Sequence, residues 1–440
     1  MRPIRLATLA FVWLAIAGAR NVVASPDRPN IVFIVSDDQC WRDYSFMGHP
    51  HIRTPNIDKL ASQSLEFRNA FVTSSLCRAS LMTMLSGLYP HQHRITSNEP
   101  AWPKGIPARE VGSHPTFREQ SKRLIGFVDR VPMLPRTLAE YGYQSLQTGK
   151  WWEGDFSSGG FTDGMSHGGH HGDKGLDIGR VTMQPIYDFV DRATLSGDPF
   201  FVWYAPMLPH NPHDPPERLL KHYESIAPSV EIAKYWAMCE WLDETCGQLL
   251  DYLDSKRLRE KTLIIFLADN GWIQRADSPG PAARSKTSPY NGGVRTPLLL
   301  SMPGRISPEA SPALAISIDL APTILSLVGL KPTEQMQGIN LLDPAARANR
   351  HTIFGECFEV NAVDIDRPAT SLKWRWCIDD AWKLIVPHAL NVEAATELYD
   401  LGADPDEAHN LAEQQPAKVI AIRRLVDAWW SPDNDSHPGN

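Results

Sequence analysis

Short strand-like runs, most of them apolar, recur along the chain at residues 30–36, 145–148, 200–205, 263–268 and 298–301. Such runs are typical of strands that are buried on both faces, since a strand with one solvated face alternates apolar and polar residues. The segments between them carry the three- and four-residue apolar spacing of helices, as at residues 55–67 and 317–328. This alternation predicts βαβ units and a parallel sheet covered by helices.

The pattern changes after residue 328. Short, aromatic-rich segments at residues 374–378, 382–387 and 398–401 predict antiparallel strands. The predicted fold is therefore an α/β domain over residues 25–345, with a large, mostly parallel sheet flanked by helices. A smaller C-terminal α+β subdomain with an antiparallel sheet follows over residues 346–440.

The first 24 residues have the pattern of an export signal. Arg2 and Arg5 precede a short apolar stretch at residues 6–17, and small residues follow at positions 22–24. We expect cleavage before Ser25 and a periplasmic or secreted mature chain. The apolar stretch is shorter than the ~20 residues that span a bilayer, so no stable membrane span is predicted, although an uncleaved anchor is the alternative.

Charge and cysteine content narrow the class of protein. With 43 basic and 51 acidic residues the net charge is -8, which offers no basic surface for nucleic acid.

Cys239 and Cys246 are seven residues apart on a predicted helix, about 10.5 Å, too far for a disulfide, and are expected to be buried thiols. Cys357 and Cys377 lie in the same C-terminal segment, and the sequence leaves open whether they bridge.

Polar groups follow several of the apolar runs. Asp37 and Asp38 come after the first, and Asp269 and Asn270 come after the run at residues 263–268. Ligands bind beyond the carboxyl ends of the strands in open α/β sheets, so these side chains are expected to share one pocket. Four oxygen donors without a cluster of Cys or His suit a hard divalent cation, and Ca²⁺ accepts an irregular carboxylate shell better than Mg²⁺. The alternative is that these residues only cap a helix and form a turn.

Several short segments together carry a family resemblance. In chain order they are Asp37-Asp38, Thr54-Pro55-Asn56-Ile57-Asp58, Gly149-Lys150-Trp151, Pro209-His210, Asp269-Asn270-Gly271, Tyr290-Asn291-Gly292-Gly293 and Glu397-Leu398-Tyr399-Asp400. Their order and spacing resemble the formylglycine-dependent sulfatases of the alkaline phosphatase superfamily, over about residues 28–411. The resemblance implies Ca²⁺ as the metal, a sulfuric ester as the substrate, and a nucleophile derived from cysteine.

The nucleophile can be placed in two registers. The family signature is Cys-x-Pro-x-Arg, and matching its arginine to Arg78 would put Ser74 at the nucleophile position. The family also has a glycine about ten residues after the nucleophile, and Gly87 occupies that place when Cys77 is chosen. We therefore choose Cys77, with an inert buried thiol as the alternative.

The chosen register departs from the signature at two places. Ala79 stands at the proline position and Leu81 at the arginine position. The resemblance implies that a formylglycine-generating enzyme, or an anaerobic sulfatase-maturing enzyme, converts Cys77 to formylglycine, which also contacts the metal. A hydroxyl of the aldehyde hydrate would then attack sulfur. Arg78 is expected to replace the missing arginine.

Three further positions match the family's polar residues. Lys150 and Lys286 are expected to bind the sulfate oxygens, and His210 to act as general acid toward the departing alcohol. Trp152 stands where the family usually has a histidine. His167, in the glycine-rich loop at residues 159–172, is a candidate to supply the missing imidazole.

The expected function is hydrolysis of a sulfuric ester, in a sulfated small molecule or polysaccharide. The 14 tryptophans suggest platforms for sugar rings, so a sulfated carbohydrate is favoured. A phosphatase or phosphodiesterase of the same superfamily is the first alternative, although the Asp and His ligands of a second metal ion are not evident. A non-catalytic protein that binds sulfated sugars is the second alternative.

Overall fold

The computed structural model describes residues 28–391 and 393–432. The predicted signal peptide and its cleavage site before Ser25 lie outside the described residues. Among the described helices, none combines the length and apolar character needed to cross a membrane.

A nine-stranded mixed sheet forms the centre of the main domain. Its strands are β1 (Asn30–Ser36), β2 (Leu65–Phe71), β3 (Gln144–Gly149), β4 (Asp163–Gly164), β5 (Phe200–Ala205), β6 (Thr262–Ala268), β7 (Arg295–Ser301), β8 (Glu309–Ser311) and β9 (Ala315–Ile316). Their order is β4-β3-β5-β1-β6-β7-β2-β8, with β9 also paired to β2. Strand β7 pairs antiparallel with β6 and β2, and the other pairs are parallel. The predicted α/β fold with a large, mostly parallel sheet is confirmed.

The strands are apolar throughout because both faces of the sheet are covered. In β1, Ile31, Phe33 and Val35 belong to one buried cluster, and Val32 and Ile34 belong to a second. Side chains alternate between the faces of a strand, so each cluster receives every second residue. This double burial fixes the register of β1 between β5 and β6 and holds its carboxyl end in place.

Helices cover both faces of the sheet. The α-helices are α1 (Pro55–Ser62), α2 (Cys77–Ser86), α3 (Pro90–His93), α4 (Ala108–Val111), α5 (Pro115–Ile125), α6 (Leu134–Glu140), α7 (Gln184–Ser196), α8 (Glu217–Leu220), α9 (Val230–Ser255), α10 (Asn291–Val294), α11 (Leu320–Leu327), α12 (Pro344–Ala348) and α13 (Pro416–Trp429). Short 3₁₀ helices lie at Ser45–Met47, Gly126–Arg130, Phe156–Gly159, Arg259–Lys261, Ser317–Asp319, Pro368–Ser371 and Ala389–Asn391. The segment His170–Asp177 contains 3₁₀ turns interrupted by a kink at residues 171–173. The helix predicted over residues 55–67 ends at Ser62, because Leu65 and Phe67 pair with β7 and enter the core.

A second sheet of four antiparallel strands follows the main domain. Its strands are β10 (Thr352–Phe358), β11 (Leu372–Asp379), β12 (Trp382–Pro387) and β13 (Glu397–Asp400). This sheet packs against the N-terminal end of α2, where Leu76 and Ala79 share a buried cluster with Phe358, Leu372 and Trp430. The two sheets therefore form one continuous support behind α2. The exact domain division at residues 345 and 346 stays a prediction.

All six cysteines are buried and free. The prediction of separate, buried thiols at Cys239 and Cys246 is confirmed. Cys357 and Cys377 form no bridge, because the register of β10 on β11 places Trp374 opposite Cys357 and Phe354 opposite Cys377.

Candidate active site

Two neighbouring strands bring the predicted metal ligands together. Strands β1 and β6 are parallel and in register up to Ser36 and Ala268, so the acidic residues that follow them lie side by side. The backbone N–H of Asp38 donates to Asp269 Oδ1 at 3.0 Å, and Asn270 Nδ2 donates to Asp38 Oδ1 at 2.6 Å. Asp38 has a positive φ of 65°, a conformation that aspartate tolerates better than most residues and that turns the chain directly after the strand.

The chemistry of this cluster fits a hard cation. Asp269 Oδ2 and Asn270 Oδ1 are buried and accept no hydrogen bond, whereas Asp37 Oδ2 is paired with the Lys150 ammonium at 3.0 Å. Burial, followed by the carboxylates of Asp37 and Asp38, raises the pKa of Asp269 well above its usual value. Unpaired buried oxygens and mutual repulsion of carboxylates are both relieved by a divalent cation, so the four predicted residues fit one.

Cys77 faces this cluster from the N-terminus of α2. Its Sγ lies 3.9 Å from Asp37 Oδ1 and 4.0 Å from Asp38 Oδ1, and the residue is only 1% exposed. One ligand atom from each of Asp37, Asp38, Cys77 and His210 lies within 4.8 Å of the others. The chosen nucleophile and the acidic cluster therefore occupy one pocket.

Lys150 reaches the pocket from the end of β3. Gly149 has a φ of 77°, and a Cβ there would lie 1.8 Å from the carbonyl oxygen of Ala205, so only glycine allows this close approach to β5. The Lys150 Nζ donates to Asp37 Oδ1 at 3.1 Å and lies 3.7 Å from Cys77 Sγ. Although burial opposes its charge, the neighbouring Asp37 raises the pKa of Lys150, so the side chain is an ammonium ion.

Lys286 enters from the loop that follows β6. Its Nζ lies 3.1 Å from Cys77 Sγ and 2.7 Å from Asp38, which raises the pKa of Lys286 well above its usual value despite burial. The same loop is tied to the C-terminal subdomain, since the N–H of Asn291 donates to Glu407 at 2.6 Å, and Lys383 forms a buried ion pair with Glu407. Two fixed ammonium groups thus flank the cysteine sulfur.

His210 closes the opposite side of the pocket. Its Nδ1 donates to the carbonyl oxygen of Asn211 at 2.6 Å, which leaves Nε2 facing Asp38 Oδ2 at 3.4 Å. Burial lowers the pKa of His210, although Asp37 acts in the opposite direction. The ring is therefore held with one nitrogen available to the pocket.

Arg78 is not brought to the cysteine sulfur. Its guanidinium forms two hydrogen bonds of 2.7 Å with Glu153 and a third of 3.0 Å with the carbonyl oxygen of Asn98. Arg78 and Glu153 side chains are only 3% and 2% exposed. Leu81, at the position of the signature arginine, is buried in the apolar core. Arg78 therefore joins α2 to the segment after Lys150.

The loop histidine that enters the site is His171, not His167. His167 is exposed and pairs with Asp155 at 3.1 Å. His171 packs against Trp152 with ring centroids 4.7 Å apart, and burial, followed by the charge of Lys150, lowers the pKa of His171. Its carbonyl oxygen accepts a hydrogen bond from Trp151 N–H at 3.0 Å, which fixes the loop beside Lys150.

Comparisons with known proteins identify the family of this chain. The family model named Sulfatase matches residues 29–330, and the model named N-sulphoglucosamine sulphohydrolase, C-terminal, matches residues 285–427. Arylsulfatase A from Homo sapiens is 28% identical over 484 residues, covering 94% of this chain and 89% of that protein. N-acetylgalactosamine-6-sulfatase from Canis lupus familiaris is 26% identical over 389 residues, covering 78% and 71%.

A solved structure extends the comparison to the fold. A sulfatase from Pseudoalteromonas sp. superposes with a TM-score of 0.70 at 18% identity, over 94% of this chain and 93% of that one. Since a family model matches well over half of the sequence, the chain belongs to the sulfatase family of the alkaline phosphatase superfamily. It is accordingly a sulfuric ester hydrolase, as the sequence predicts.

Proposed function

We propose that this protein is exported and removes sulfate from a sulfated sugar, by means of a formylglycine formed from Cys77 and a bound Ca²⁺. The observation that carries the proposal is the position of the Cys77 sulfur, 3.1 Å and 3.7 Å from two lysine ammonium groups. A sugar substrate is supported by relatives named N-acetylgalactosamine-6-sulfatase. Export is supported by the pattern of the first 24 residues, and would bring the enzyme to external substrates.

The residues that would hold Ca²⁺ are Asp37, Asp38, Asp269 and Asn270, together with the modified side chain at position 77. When bound, the cation supplies positive charge toward a sulfate oxygen, and formylglycine supplies a hydrated aldehyde as nucleophile. The two buried oxygens without a partner, Asp269 Oδ2 and Asn270 Oδ1, support this ligand set.

Lys150 and Lys286 bind the sulfate oxygens. Both ammonium groups are already fixed beside position 77 by Asp37 and Asp38, so little reorganisation is needed when the substrate enters. Positive groups fixed where negative charge develops stabilise the transition state more than mobile ones. The two lysines therefore orient the ester and stabilise the additional negative charge at sulfur.

His210 handles the proton of the leaving group. A sugar alkoxide is a poor leaving group, so its oxygen needs a proton as the sulfur–oxygen bond breaks. The hydrogen bond from His210 Nδ1 to the carbonyl oxygen of Asn211 fixes the ring and presents Nε2 to the pocket. Although burial lowers the pKa of the ring, Asp37 and Asp38 favour the imidazolium form, in which His210 carries a proton on Nε2 as well as on Nδ1 and is placed to donate it to the ester oxygen.

His171, and not His167 as the sequence predicts, supplies the imidazole that is missing at Trp152. It lies against Trp152, which stands where the family usually has a histidine, and it senses the charges of Lys150, His210 and Lys286. Burial and the charge of Lys150 lower the pKa of His171, so the imidazole is neutral and can accept a hydrogen bond from a hydroxyl group in the pocket.

The unmodified thiol is a weak candidate for the nucleophile. Burial raises the pKa of the Cys77 thiol well above its usual value, although Lys150 and Lys286 act in the opposite direction. A protonated thiol is a poor nucleophile. This supports conversion of Cys77 by a formylglycine-generating or anaerobic sulfatase-maturing enzyme, even though Leu81 replaces the signature arginine.

Mass spectrometry and turnover test the proposal together. The peptide that contains Cys77, taken from active protein, is expected to carry an aldehyde, and 4-nitrophenyl sulfate is expected to be cleaved faster than 4-nitrophenyl phosphate. Cys77→Ala serves as the inactive control. Full activity with an intact thiol would remove formylglycine from the mechanism, and faster cleavage of the phosphate would assign the protein to the phosphatase alternative.

A further inference from the structure

A cavity of about 310 Å³ lies next to the pocket that contains Cys77. Trp152 and His171 line this cavity, and Lys150 Nζ lies 5.1 Å from the centre of the Trp152 ring on the pocket side. The two side chains therefore form a wall shared by the cavity and the sulfate pocket. A substrate whose sulfate reaches Lys150 has this cavity as adjoining space for the rest of the molecule.

The cavity is lined by more positive than negative groups. Arg78, Arg118 and Lys122 are its cations, and Glu99 is the carboxylate that lines it. The charge of Arg78 is neutralised by Glu153 at 2.7 Å, and Glu99 pairs with His170 at 3.1 Å. The remaining positive charge belongs to Arg118 and Lys122. In a chain with a net charge of -8, this concentration of positive charge is local.

Arg118 and Lys122 are held on one face of α5. With Ser121 and Ile125 they occupy positions i, i+3, i+4 and i+7, the spacing of neighbours on a helix surface. Leu124 is buried in the core and anchors the other side of the helix. Within residues 28–391 and 393–432, neither Arg118 nor Lys122 has a carboxylate within 4.0 Å.

Apolar groups complete the cavity. Phe117 and Ile125 line it together with the indole of Trp152. Apolar and aromatic surfaces suit the carbon faces of a sugar ring, and free cations suit an anionic substituent on that ring or on its neighbour. The cavity therefore combines the groups that recognise an acidic sugar.

We propose that this cavity binds a second anionic group of the substrate, a sulfate or a carboxylate, and so makes the enzyme selective for acidic sugars that carry more than one negative group. This inference rests on the proposed function, because it takes the scissile sulfate to lie between Lys150 and Lys286. Arg118 and Lys122 set the specificity and take no part in bond cleavage.

Binding measured by isothermal titration calorimetry tests the proposal. The protein used is the full chain with Cys77→Ala, so that no probe is cleaved during the titration. The probes are N-acetylgalactosamine 6-sulfate, N-acetylgalactosamine 4,6-disulfate and the chondroitin 6-sulfate disaccharide, which carries a uronate carboxylate. We expect one of the two probes with a second anionic group to bind about 3- to 10-fold more tightly than the monosulfate, as two exposed charge pairs, with Arg118 and Lys122, provide together. Which one binds more tightly distinguishes sulfate from carboxylate.

Substitutions on α5 link the preference to the cavity. Arg118→Gln combined with Lys122→Gln is expected to abolish the preference and to leave the Kd of the monosulfate unchanged. Arg123→Gln is the matched control, because Arg123 lies on the same helix and carries the same charge but pairs with Asp366 outside the cavity. Equal Kd values for the three probes, absence of binding by all three, or a preference that survives the double substitution overturns the proposal.

Turnover separates this inference from the proposed function. Cleavage of 4-nitrophenyl sulfate by the unsubstituted chain tests the sulfatase proposal without the cavity, because that substrate carries only one anionic group. Absence of a binding preference in the chain with Cys77→Ala alone, together with normal turnover by the unsubstituted chain, contradicts the cavity proposal alone. Preferential binding without turnover contradicts the catalytic proposal alone.

Discussion

The ion pair between Arg78 and Glu153 joins the helix that carries Cys77 to the segment that carries Lys150. We expect Arg78→Met to destabilise the protein, because it leaves the Glu153 carboxylate buried without a partner. The Glu153 side chain is only 2% exposed, so water cannot replace the lost guanidinium. The substitution tests whether Arg78 supports the site through this contact.

The size of the expected loss of stability follows from the burial of the ion pair between Arg78 and Glu153. Breaking a buried ion pair by removing one partner costs about 3–5 kcal/mol. With an unfolding entropy of roughly 0.9 kcal/mol/K for a chain of this length, this corresponds to a Tm lower by about 3–6 °C. Replacing both partners, in Arg78→Met with Glu153→Leu, removes both charges and is expected to recover most of the loss, since apolar pairs often substitute for buried ion pairs without cost.

Differential scanning calorimetry and sulfatase turnover provide the two measurements. Arg218→Met is the matched control, because Arg218 also makes a bidentate pair, with Glu244, but is 60% exposed. That substitution is expected to change stability by less than about 1 kcal/mol. Turnover in the doubly substituted protein is expected to recover in parallel with Tm.

Two results would refute this reasoning. If Arg78→Met is no more destabilising than Arg218→Met, the buried pair does not hold the two segments together. If the double substitution restores Tm but leaves turnover as low as in Arg78→Met, then Arg78 acts on the substrate itself and replaces the signature arginine directly.

Three other perturbations address the metal and the histidines. Ca²⁺ at 100 times its Kd is expected to stabilise the folded protein by about 2.7 kcal/mol and so to raise Tm by about 3 °C. The variant Asp269→Asn should lose most of this rise in Tm. An equal rise in both proteins would place the cation elsewhere. His171→Ala is expected to lower kcat about 10-fold, as the loss of one hydrogen bond of about 1.5 kcal/mol would, whereas His167→Ala should leave it within about 2-fold; equal effects would reject this assignment. His210→Ala is expected to slow sugar sulfates far more than 4-nitrophenyl sulfate, whose phenolate leaves without protonation, and equal losses on both substrates would reassign the general acid.

The parts of the fold that the sequence predicts best are those with both faces buried. Strands β1 and β5 match the predicted bounds because unbroken apolar runs end abruptly in polar residues. The first three residues of strand β2, residues 65–67, fall in the predicted helix because they continue its apolar spacing, and only their pairing with β7 makes them a strand. Strand β10 and helix α13 were not predicted, because their buried partners lie in distant segments.

For the site residues too, the sequence does not reveal contacts with distant segments. Residues placed directly after strands, such as Asp37, Lys150 and Asp269, could be grouped from the sequence because the sheet carries them to one edge. Arg78 and His171 could not be placed in this way. The direction of Arg78 depends on Glu153, 75 residues away. The position of His171 depends on the docking of its loop, where a Cβ on Gly172 would lie 2.4 Å from the carbonyl oxygen of Gly149.

The support behind α2 has a consequence for the timing of synthesis. Phe358, Leu372 and Trp430 complete the wall behind the start of this helix, and the ribosome produces them about 280–350 residues after Cys77. At 5–20 residues per second, the interval to the last of them is roughly 20–70 s. During that time these C-terminal residues cannot yet cover the start of α2, so an enzyme that modifies nascent polypeptides can still reach the Cys77 thiol.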